Sequence, residues 1–500
     1  MLVLWLGLIL LGLADGCLCG CPQAGKCSLE DSNLAMTVTM EGMNKMVHDY
    51  IPELEQTAYR IKFNDIHEVL DLKITEVDLD ITSMAIDTLT IGDMSSSTSM
   101  EGTPSFIFSV NSLAISIGFN WAYAETSWPF SQAEGTGIAS VSDATGDFDM
   151  LFSIDDECGC THLDILSVNL DFDVDIELHG DGSALFETIL NALVDMLEDM
   201  FEESFEEMLR SGMEDSLNDI FYHRNHSNKM PDGMIQDDRL CGTGIYIGDS
   251  FITFRLSMYI YPAGEDEAWP ERGTPTPLPT SVVNADMQMI YSNNVFNSMY
   301  RAEQDLGMLH GTISPSTVTD PSMRSLLSTD VLASICPGLY NAYPDAEVEL
   351  SLASTQAPEL SFLPSAGYLN VTGTVDISVS DDPDPSPALT LGVSYGLALQ
   401  SKLVEILHSY GNVTFLSWET SVFNVTAWPV SSRYGDVSTH TPQAMELSFM
   451  LGSFGVAPWF ESFSDVHAPN FNYPDGFLTY DDIQIMYPDS ETMLLSCPMW

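Results

Sequence analysis

The stretch "VNLDFDVDIEL", residues 168–178, constrains the fold most strongly. Apolar residues hold every second position from Val168 to Leu178, and polar residues fill the positions between them. Because successive side chains on a β-strand point to opposite faces, this alternation predicts a strand with one apolar and one polar face. The apolar face must be covered by another part of the protein. The polar face carries four carboxylates: Asp171, Asp173, Asp175 and Glu177.

Two interpretations of these carboxylates are open. An EF-hand beginning at Asp171 would need Gly and Glu where the chain has Ile176 and Gly182, so that motif is excluded. A looser calcium site shared with neighbouring acidic strands is the first alternative, and a solvated strand face is the second. Carboxylates about 6.7 Å apart repel by roughly 0.6 kcal/mol in water, whereas burying one aliphatic side chain stabilises by roughly 1.5–3 kcal/mol. The apolar face therefore decides the strand, and we favour the solvated face.

The segment after this strand changes its apolar period from 2 to about 3.6, which predicts a helix. Ser183 is a suitable N-cap and Gly212 a suitable end, giving a helix of about 27 residues and roughly 40 Å. A helix of that length needs an elongated apolar partner. Its stripe comprises Leu185, Phe186, Ile189, Leu190, Leu193, Val194, Met196, Leu197, Met200, Phe201, Phe205, Met208 and Leu209.

Residues 61–178 are dominated by strand patterns. In "DLKITEVDLDITSMAIDTLTIGD" the apolar phase runs through 72 and 74, then 77, 79 and 81, then 84 and 86, then 89 and 91. Each slip of three residues predicts a bulge or bend, as a strongly coiled sheet requires. Residues 34–60, before this region, begin with a short alternating run and become helical in pattern.

The charge balance excludes several classes of partner. The chain has 15 Lys and Arg against 73 Asp and Glu, a net charge of −58. Nucleic acid requires clustered cations, so it is excluded as a partner. Purely electrostatic docking on anionic membranes or on lipopolysaccharide is disfavoured for the same reason.

The N-terminus and the cysteines indicate secretion. Residues 1–16, "MLVLWLGLILLGLADG", have the pattern of a signal peptide, cleaved after Ala14 or Gly16, and 17–33 form a Cys-rich segment. In an extracellular protein, disulfides are favoured over zinc, since the close pairs are C-x-C and lack an accompanying histidine pair. Beyond the N-terminal cluster, the disulfide candidates are Cys158, Cys160, Cys241, Cys336 and Cys497. Four N-x-[ST] sequons predict glycosylation at Asn225, Asn370, Asn412 and Asn424.

A segment rich in Pro, Gly and charge at 261–281 predicts an exposed linker. It separates an N-terminal domain at 34–260 from a C-terminal domain at 282–500. The second half repeats the style of the first, with helical patterns near 292–309 and 328–343 followed by alternating strands. This indicates a pseudo-duplicated architecture.

Catalytic signatures fail when they are tested. The chain has no G-x-S-x-G elbow and no P-loop, and "HEVLD" at His67 lacks the second histidine of H-E-x-x-H. The glycines of "CGTGIYIGDS" do not have dinucleotide-binding spacing. We expect a protein that is not an enzyme and that needs no metal or other cofactor.

The order of these elements resembles a known family, that of bactericidal/permeability-increasing protein, lipopolysaccharide-binding protein and cholesteryl ester transfer protein, with the tubular lipid-binding fold. In the first half, "YRIKFNDI", "LDLKITEVDLDITSMAIDTLTIGD", "FSVNSLAISIGFNWAYAE" and "CGCTHLDILSVNL" are similar to its sequences. In the second half, "MIYSNNVFNSMYRAEQDLGMLHGTIS" and "AEVELSLASTQAPELSF" continue the likeness. It covers most of 34–500 and is weakest at 212–280 and 380–470.

The resemblance implies an α+β fold: an elongated two-domain boomerang, each domain a curled antiparallel sheet wrapped around a long helix, with a central sheet joining them. It also implies an apolar pocket for an acyl chain in each domain. Two features depart from the family: 183–221 lack the family's helix cysteine, and the cationic tip of the lipopolysaccharide binders is missing. The lipid-contacting residues so implied are Leu79, Ile81, Val168, Leu170, Phe172, Val174, Ile189, Leu193, Met196, Leu197, Met200, Phe296 and Met299.

The favoured function is a secreted, non-enzymatic lipid-binding or lipid-transfer protein that holds phospholipid or another acyl-chain lipid and contacts membrane or lipoprotein surfaces transiently. One alternative is an innate-immune protein that binds microbial envelope lipids. A second is a calcium-dependent extracellular adhesion glycoprotein. A third possibility for the apolar stripes is that they close on each other as dry core.

Overall fold

A computed structural model describes residues 32–438, with gaps, and residues 452, 484–488 and 491–497. The gaps are 46, 47, 49, 50, 52–54, 56–58, 61, 72–75, 127–130, 155–160, 181–193, 200–206, 208, 209, 213, 216, 217, 219–226, 231, 232, 238, 239, 265–284, 319, 320, 409 and 410. The predicted signal peptide, Cys158, Cys160, Asn225 and most of the predicted linker lie outside the described residues.

The first half of the chain is built almost entirely from strands. They are β1 (Leu34–Thr39), β2 (Ile66–Asp71), β3 (Glu76–Ser99), β4 (Ser105–Glu125), β5 (Gln132–Ile154), β6 (Thr161–Gly180), β7 (Ser227–Lys229), β8 (Met234–Asp237), β9 (Leu240–Gly248), β10 (Phe251–Leu256) and β11 (Tyr259–Pro262). Helical residues occur at 40–45, 48, 51, 55, 194–199, 207, 210–212, 214, 215 and 218.

The second half contains the short helices and nine further strands. They are β12 (Met287–Ser292), α1 (Asn293–Asp305), β13 (His310–Ile313), α2 (Pro321–Arg324), a 3₁₀ turn (Val331–Ser334), α3 (Pro337–Ala342), β14 (Val348–Ser354), β15 (Glu359–Leu363), β16 (Ala366–Val379), β17 (Leu389–His408), β18 (Gly411–Ser432), β19 (Gln484–Met486) and β20 (Thr492–Cys497).

Strands β2 to β6 form one antiparallel sheet in chain order, here called the N-terminal sheet. In β3, Val77, Leu79 and Ile81 are buried while the carboxylates between them are exposed. The pairing of β3 with β4 shifts between Thr82 and Ala85 and again between Ile86 and Thr88. These are the places where the apolar phase slips between 81 and 84 and between 86 and 89, so two of the three predicted bulges are confirmed. The predicted slip between 74 and 77 falls partly outside the described residues.

A central sheet combines strands from both halves, in the order β19-β20-β12-β1-β10-β9. Strand β1 lies between β10 of the first half and β12 of the second, antiparallel to both. The predicted start of the linker at 261 is wrong, because Tyr261 and Pro262 belong to β11 and pair with β8. A third sheet of three strands has the order β11-β8-β7.

The C-terminal sheet has the order β13-β14-β16-β17-β18, and β15 also pairs with β16. The predicted helix at 292–309 is α1, whose N-cap Ser292 accepts a hydrogen bond from the backbone N–H of Asn294. The predicted short helix near 328–343 is the 3₁₀ turn followed by α3. Strand β18 was not predicted from the sequence.

The chain is therefore mostly antiparallel sheet with few helices, within the predicted α+β class. The elongated boomerang and the wrapping of each sheet around a long helix stay predictions. The predicted helix end at Gly212 is wrong, because Gly212 is itself helical and helical residues recur at 214, 215 and 218. Across the described ranges, no helix has the length and apolarity that a membrane span requires.

A buried hydroxyl pair tests the central sheet. The side chains of Thr37 in β1 and Thr253 in β10 face each other, with 2.7 Å between their Oγ1 atoms. Thr37→Val should lower the free energy of unfolding by about 1–3 kcal/mol, because it leaves the Thr253 hydroxyl buried without this partner. Chemical denaturation measures the change.

The double variant Thr37→Val/Thr253→Val is the control. It removes both hydroxyls and keeps the shape, so it should restore most of the stability that the single variant loses. A double variant as unstable as the sum of the two single variants would contradict the pairing.

Candidate functional site

Strand β6 separates apolar and acidic residues as the sequence predicts. Val168, Val174 and Ile176 are buried in the core, and Leu170 and Phe172 are half-buried against it. The four carboxylates between them are exposed and stand beside Ser140, Ser142, Thr145 and Ile138 of β5. They form no cation-binding group within the described part of the chain. The acidic side of β6 is a solvated face.

The described helical residues after β6 contribute to the hydrophobic core. Leu197 is 1% exposed and belongs to the large core cluster that also contains Val168, Val174 and Ile176, and Val194 packs against that cluster. That this helix covers the apolar face of β6 along its length stays a prediction.

Three helical side chains fasten the later part of this segment to the free edge of β6. Asn218 Nδ2 donates to the carbonyl of Leu163 at 2.9 Å, and Asn218 Oδ1 accepts from the Leu163 N–H at 2.8 Å. Arg210 donates to the carbonyl of Ile165 at 2.7 Å, and Glu214 accepts from the Ile165 N–H at 3.3 Å. Residues 210, 214 and 218 are four apart and so share one helix face. They satisfy backbone groups that an edge strand would otherwise expose.

A possible metal-binding group lies at the same contact. His162, Asp164 and Glu214 each offer a ligand atom within 4.8 Å of the others, and no described residues elsewhere do so. Asp164 accepts a hydrogen bond from Ser153, and Glu214 accepts one from Ile165. The contact between helix and strand accounts for the cluster without an ion.

The predicted lipid-contacting residues of the first half fall into three groups. The buried group is Leu79, Ile81, Val168, Val174 and Leu197. The half-buried group is Leu170, Phe172 and Met196. The third group, Ile189, Leu193 and Met200, lies outside the described residues. Apart from Met196, the residues of the first two groups belong to or pack against the large hydrophobic core cluster, and the contact of these groups with lipid stays a prediction.

The Asn218 clamp gives a test of this arrangement. Asn218→Ala should lower the free energy of unfolding by about 1–3 kcal/mol, because two buried backbone groups lose their partners. Hydrogen exchange at the Leu163 amide should become faster. Asp215→Ala is the matched control on the exposed side of the same segment and should change stability by less than about 0.5 kcal/mol. Equal effects of the two substitutions would contradict the clamp.

In the second half, α1 is held firmly against β15. Asn297 Nδ2 donates to the carbonyl of Leu360 at 3.1 Å, and Asn297 Oδ1 accepts from the Leu360 N–H at 2.7 Å. Phe296, next to this clamp, is fully buried and meets Phe362 and Trp418 edge to face. Met299 is 1% exposed. Phe296 thus belongs to an aromatic cluster, and the lipid contact predicted for Phe296 and Met299 stays a prediction.

An apolar cavity of about 30 Å³ lies on the inner side of the C-terminal sheet. Its lining comes from β14, β16, β17 and the residue before β13: Leu309, Leu352, Ala353, Ser354, Val371, Gly373, Thr374, Val393 and Tyr395. Neither Phe296 nor Met299 is among these residues.

Tyr395 is the unusual member of this lining. Its side chain is 1% exposed, and its hydroxyl has no hydrogen-bond partner within the described part of the protein. Burial raises the pKa of the Tyr395 hydroxyl far above its ordinary value, so the group is a neutral donor. The Cα of Gly452 lies so close that a Cβ there would meet the Tyr395 ring at 2.8 Å.

Tyr395 was not among the predicted site residues, although the sequence contains a signal for it. In "LTLGVSYGLALQ" it occupies the inward phase that Leu391, Val393, Leu397 and Leu399 share. A residue with a polar tip in an otherwise aliphatic phase needs a partner or a function.

Two of the cysteines show different states. The disulfide prediction is wrong for Cys336, which is a free thiol buried at the start of α3, with its Sγ 3.5 Å from the Ser432 hydroxyl. It fills the core as a small apolar side chain. Cys241 is buried and disulfide-bonded. Cys497 ends β20.

Comparison with known proteins identifies part of this chain. Residues 260–402 match the model of the LBP / BPI / CETP family, C-terminal domain. This match includes most of the strands that line the cavity and agrees with the predicted family over residues 260–402. No curated protein matches the chain.

Three solved structures are similar at low identity. A lipopolysaccharide binding protein aligns at 15% identity over 94% of this chain and 99% of its own, with a TM-score of 0.47. Takeout 1 of Epiphyas postvittana aligns at 13% identity over 39% of this chain and 93% of its own, with a TM-score of 0.24. P47 of Clostridium botulinum A2 aligns at 9% identity over 94% of this chain and 98% of its own, with a TM-score of 0.21.

Proposed function

We propose that this chain, a member of the LBP / BPI / CETP family through residues 260–402, is a secreted, non-enzymatic lipid-binding protein. Its ligand is phospholipid or another acyl-chain lipid, held in the apolar interior of the C-terminal sheet and in that of the N-terminal sheet. The family binds lipids, and that property is the starting point of the proposal.

The observation that carries the proposal is the apolar cavity lined in part by Tyr395, whose buried hydroxyl has no hydrogen-bond partner among the described residues. A purely structural core would bury Phe at this position and avoid the desolvation of a hydroxyl, which costs about 1–3 kcal/mol. A hydroxyl kept in an aliphatic wall is useful when a ligand supplies the acceptor. The ester carbonyl of an acyl lipid is such an acceptor, and its hydrocarbon chain suits the remaining lining.

The cavity has to widen to take an acyl chain. At about 30 Å³ it is roughly ten to thirty times smaller than ordinary ligand pockets of ~300–1,000 Å³. The lining includes Leu309, which precedes the short strand β13. A four-residue edge strand is the part of the sheet that separates from its neighbour most easily. We infer that lipid enters where β13 separates from its neighbour β14 and so reaches the inner side of the sheet.

The charge of the protein narrows the choice of lipid. The carboxylates of β3 and β6 are exposed, and the net charge of −58 repels anionic headgroups and anionic surfaces. Zwitterionic and uncharged lipids meet no such repulsion. This favours a carrier of phosphatidylcholine-like or neutral acyl lipids over a receptor for lipopolysaccharide.

Direct extraction tests the function. The full chain is purified from the medium of a eukaryotic secretory host, extracted with organic solvent, and the extract is measured by lipid mass spectrometry. We expect acyl lipid in a fixed ratio of one or more molecules per chain. The carrier function would be refuted by two results together: the extract contains no stoichiometric lipid, and the purified protein takes up no lipid from phosphatidylcholine vesicles.

Tyr395→Phe tests the role of the hydroxyl. Loss of one hydrogen bond worth about 1–1.4 kcal/mol should weaken lipid retention roughly fivefold to tenfold. The delipidated variant should be at least as stable as the delipidated parent, because the hydroxyl removed from it has no partner in the described structure.

Tyr487→Phe is the matched control. The Tyr487 hydroxyl lies 2.6 Å from the Ser401 hydroxyl and outside the cavity. Its removal should cost about 1 kcal/mol of stability and leave lipid retention unchanged. Equal lipid retention by Tyr395→Phe and the parent would show that the ligand lies elsewhere.

A further inference from the structure

We propose that the outer face of the C-terminal sheet carries two N-linked glycans, on Asn370 and Asn424, which cover an exposed row of aromatic side chains. The inference depends on passage through a secretory compartment and does not depend on which ligand fills the interior.

The aromatic row lies on β16 and on the edge strand β18. Phe423 is 50% exposed and Trp428 is 42% exposed. The Phe423 ring meets that of Tyr368 edge to face, with 4.7 Å between centroids. Exposed aromatic side chains on an edge strand invite association with other chains. Something must cover this row in a protein that stays dispersed.

Glycines on β17 make the row possible. A Cβ on Gly396 would meet the Phe423 ring at 2.6 Å, and a Cβ on Gly392 would meet the Trp428 indole at 2.2 Å. Each ring therefore lies directly on the backbone of the neighbouring strand. The rings of Phe423 and Trp428 therefore lie along the sheet instead of standing away from it.

The two sequons lie on the two strands that flank β17, one on each side of it. Asn370 of β16 and Asn424 of β18 pair with the same residue, Gly396 of β17. Both asparagines are exposed, and two strand spacings place them about 9–10 Å apart. Asn370 follows Tyr368 by two positions on one face of β16. Asn424 directly follows Phe423 at the bulge of β18.

Carbohydrate is the occupant that this arrangement favours. Each asparagine has the required threonine two positions later, Thr372 and Thr426, in N-x-T order. The C–H faces of a pyranose ring are apolar and lie flat on an aromatic ring, while its hydroxyls face water. A glycan on either asparagine thus starts within reach of a ring that it can cover, and it adds bulk and solubility.

The attachment is a group transfer with a defined balance. The Asn side-chain Nδ2 forms a bond to C1 of the first sugar, and the bond from C1 to the pyrophosphate oxygen of a lipid-linked oligosaccharide breaks. The lipid pyrophosphate leaves, and Nδ2 loses one proton to a base. The donor is the lipid-pyrophosphate oligosaccharide of the secretory compartment, which acts on the chain before β16, β17 and β18 have paired.

Paired threonine substitutions test the attachment. Thr372→Ser and Thr426→Ser keep each sequon, whereas Thr372→Val and Thr426→Val abolish it with a residue of similar shape that favours strands. Glycopeptide mass spectrometry of the full chain secreted by a eukaryotic host should find sugar at 370 and 424 in the parent and the Ser variants. It should find none at the substituted site in the Val variants. Unmodified Asn370 and Asn424 in the secreted parent would overturn the proposal.

The covering role needs a second measurement. The Thr372→Val/Thr426→Val protein should self-associate in light scattering at concentrations where the Thr372→Ser/Thr426→Ser protein is monomeric. Adding Phe423→Thr and Trp428→Thr should restore the monomer. If the glycan-free protein stays monomeric, the sugars do not cover the row. If the glycosylated parent binds phosphatidylcholine vesicles and Trp428→Thr abolishes that binding, a membrane occupies the face and the proposal is wrong.

Discussion

Strands of 20 to 24 residues, each with one apolar face, set the conditions that the rest of this protein meets. β3, β4, β5 and β6 have 24, 21, 23 and 20 residues, whereas strands of 3 to 10 residues are usual. At about 3.3 Å per residue, β6 extends for roughly 65 Å. An apolar face of that length needs a curled sheet, a long covering element, or both.

The bulges and the helix answer this requirement in different ways. Register shifts at Thr82 and Ile86 turn β3 while they keep its apolar residues on the inner side. Ser83, at the first shift, has a positive φ of 58°, a conformation that few residues other than glycine adopt. The side chains of residues 210, 214 and 218 form hydrogen bonds with the backbone at the edge of β6. The helical segment thus supplies polar partners to this strand in addition to the apolar side chains that it adds to the core.

Local sequence patterns predicted those parts of the fold that depend on a single local requirement, such as the burial of one strand face. The two faces of β6 follow from alternation, two bulges of β3 follow from phase slips, and the position of α1 follows from the helical pattern near 292–309. Strand β18 was not predicted, because its bulge at Phe423 breaks the alternation and its outward-facing positions carry aromatic residues. The free thiol of Cys336 and the environment of Tyr395 depend on which distant strands come together. Residue types alone do not contain that information.

The two large sheets have different outer faces. The N-terminal sheet presents carboxylates from β3 and β6, such as Asp78, Asp80 and Asp173. The C-terminal sheet presents hydroxyls, glycines and aromatic rings. Repulsion between acidic faces keeps copies of the first sheet apart, with a range of about 8 Å at physiological ionic strength. The second sheet lacks this protection over its aromatic row and needs a steric one.

The position of β1 has a consequence for how the chain is made. The side chain of Thr39, at the end of β1, donates to the carbonyl of Asp286, 247 residues later, and β20 completes the same sheet close to the C-terminus. During synthesis β1 and β10 can pair early, but the free edge of β1 waits for β12 and that of β12 waits for β20. A nascent chain therefore presents an open strand edge on β12 until β20 has been made, and over that interval it should depend on factors that hold this edge apart from other chains.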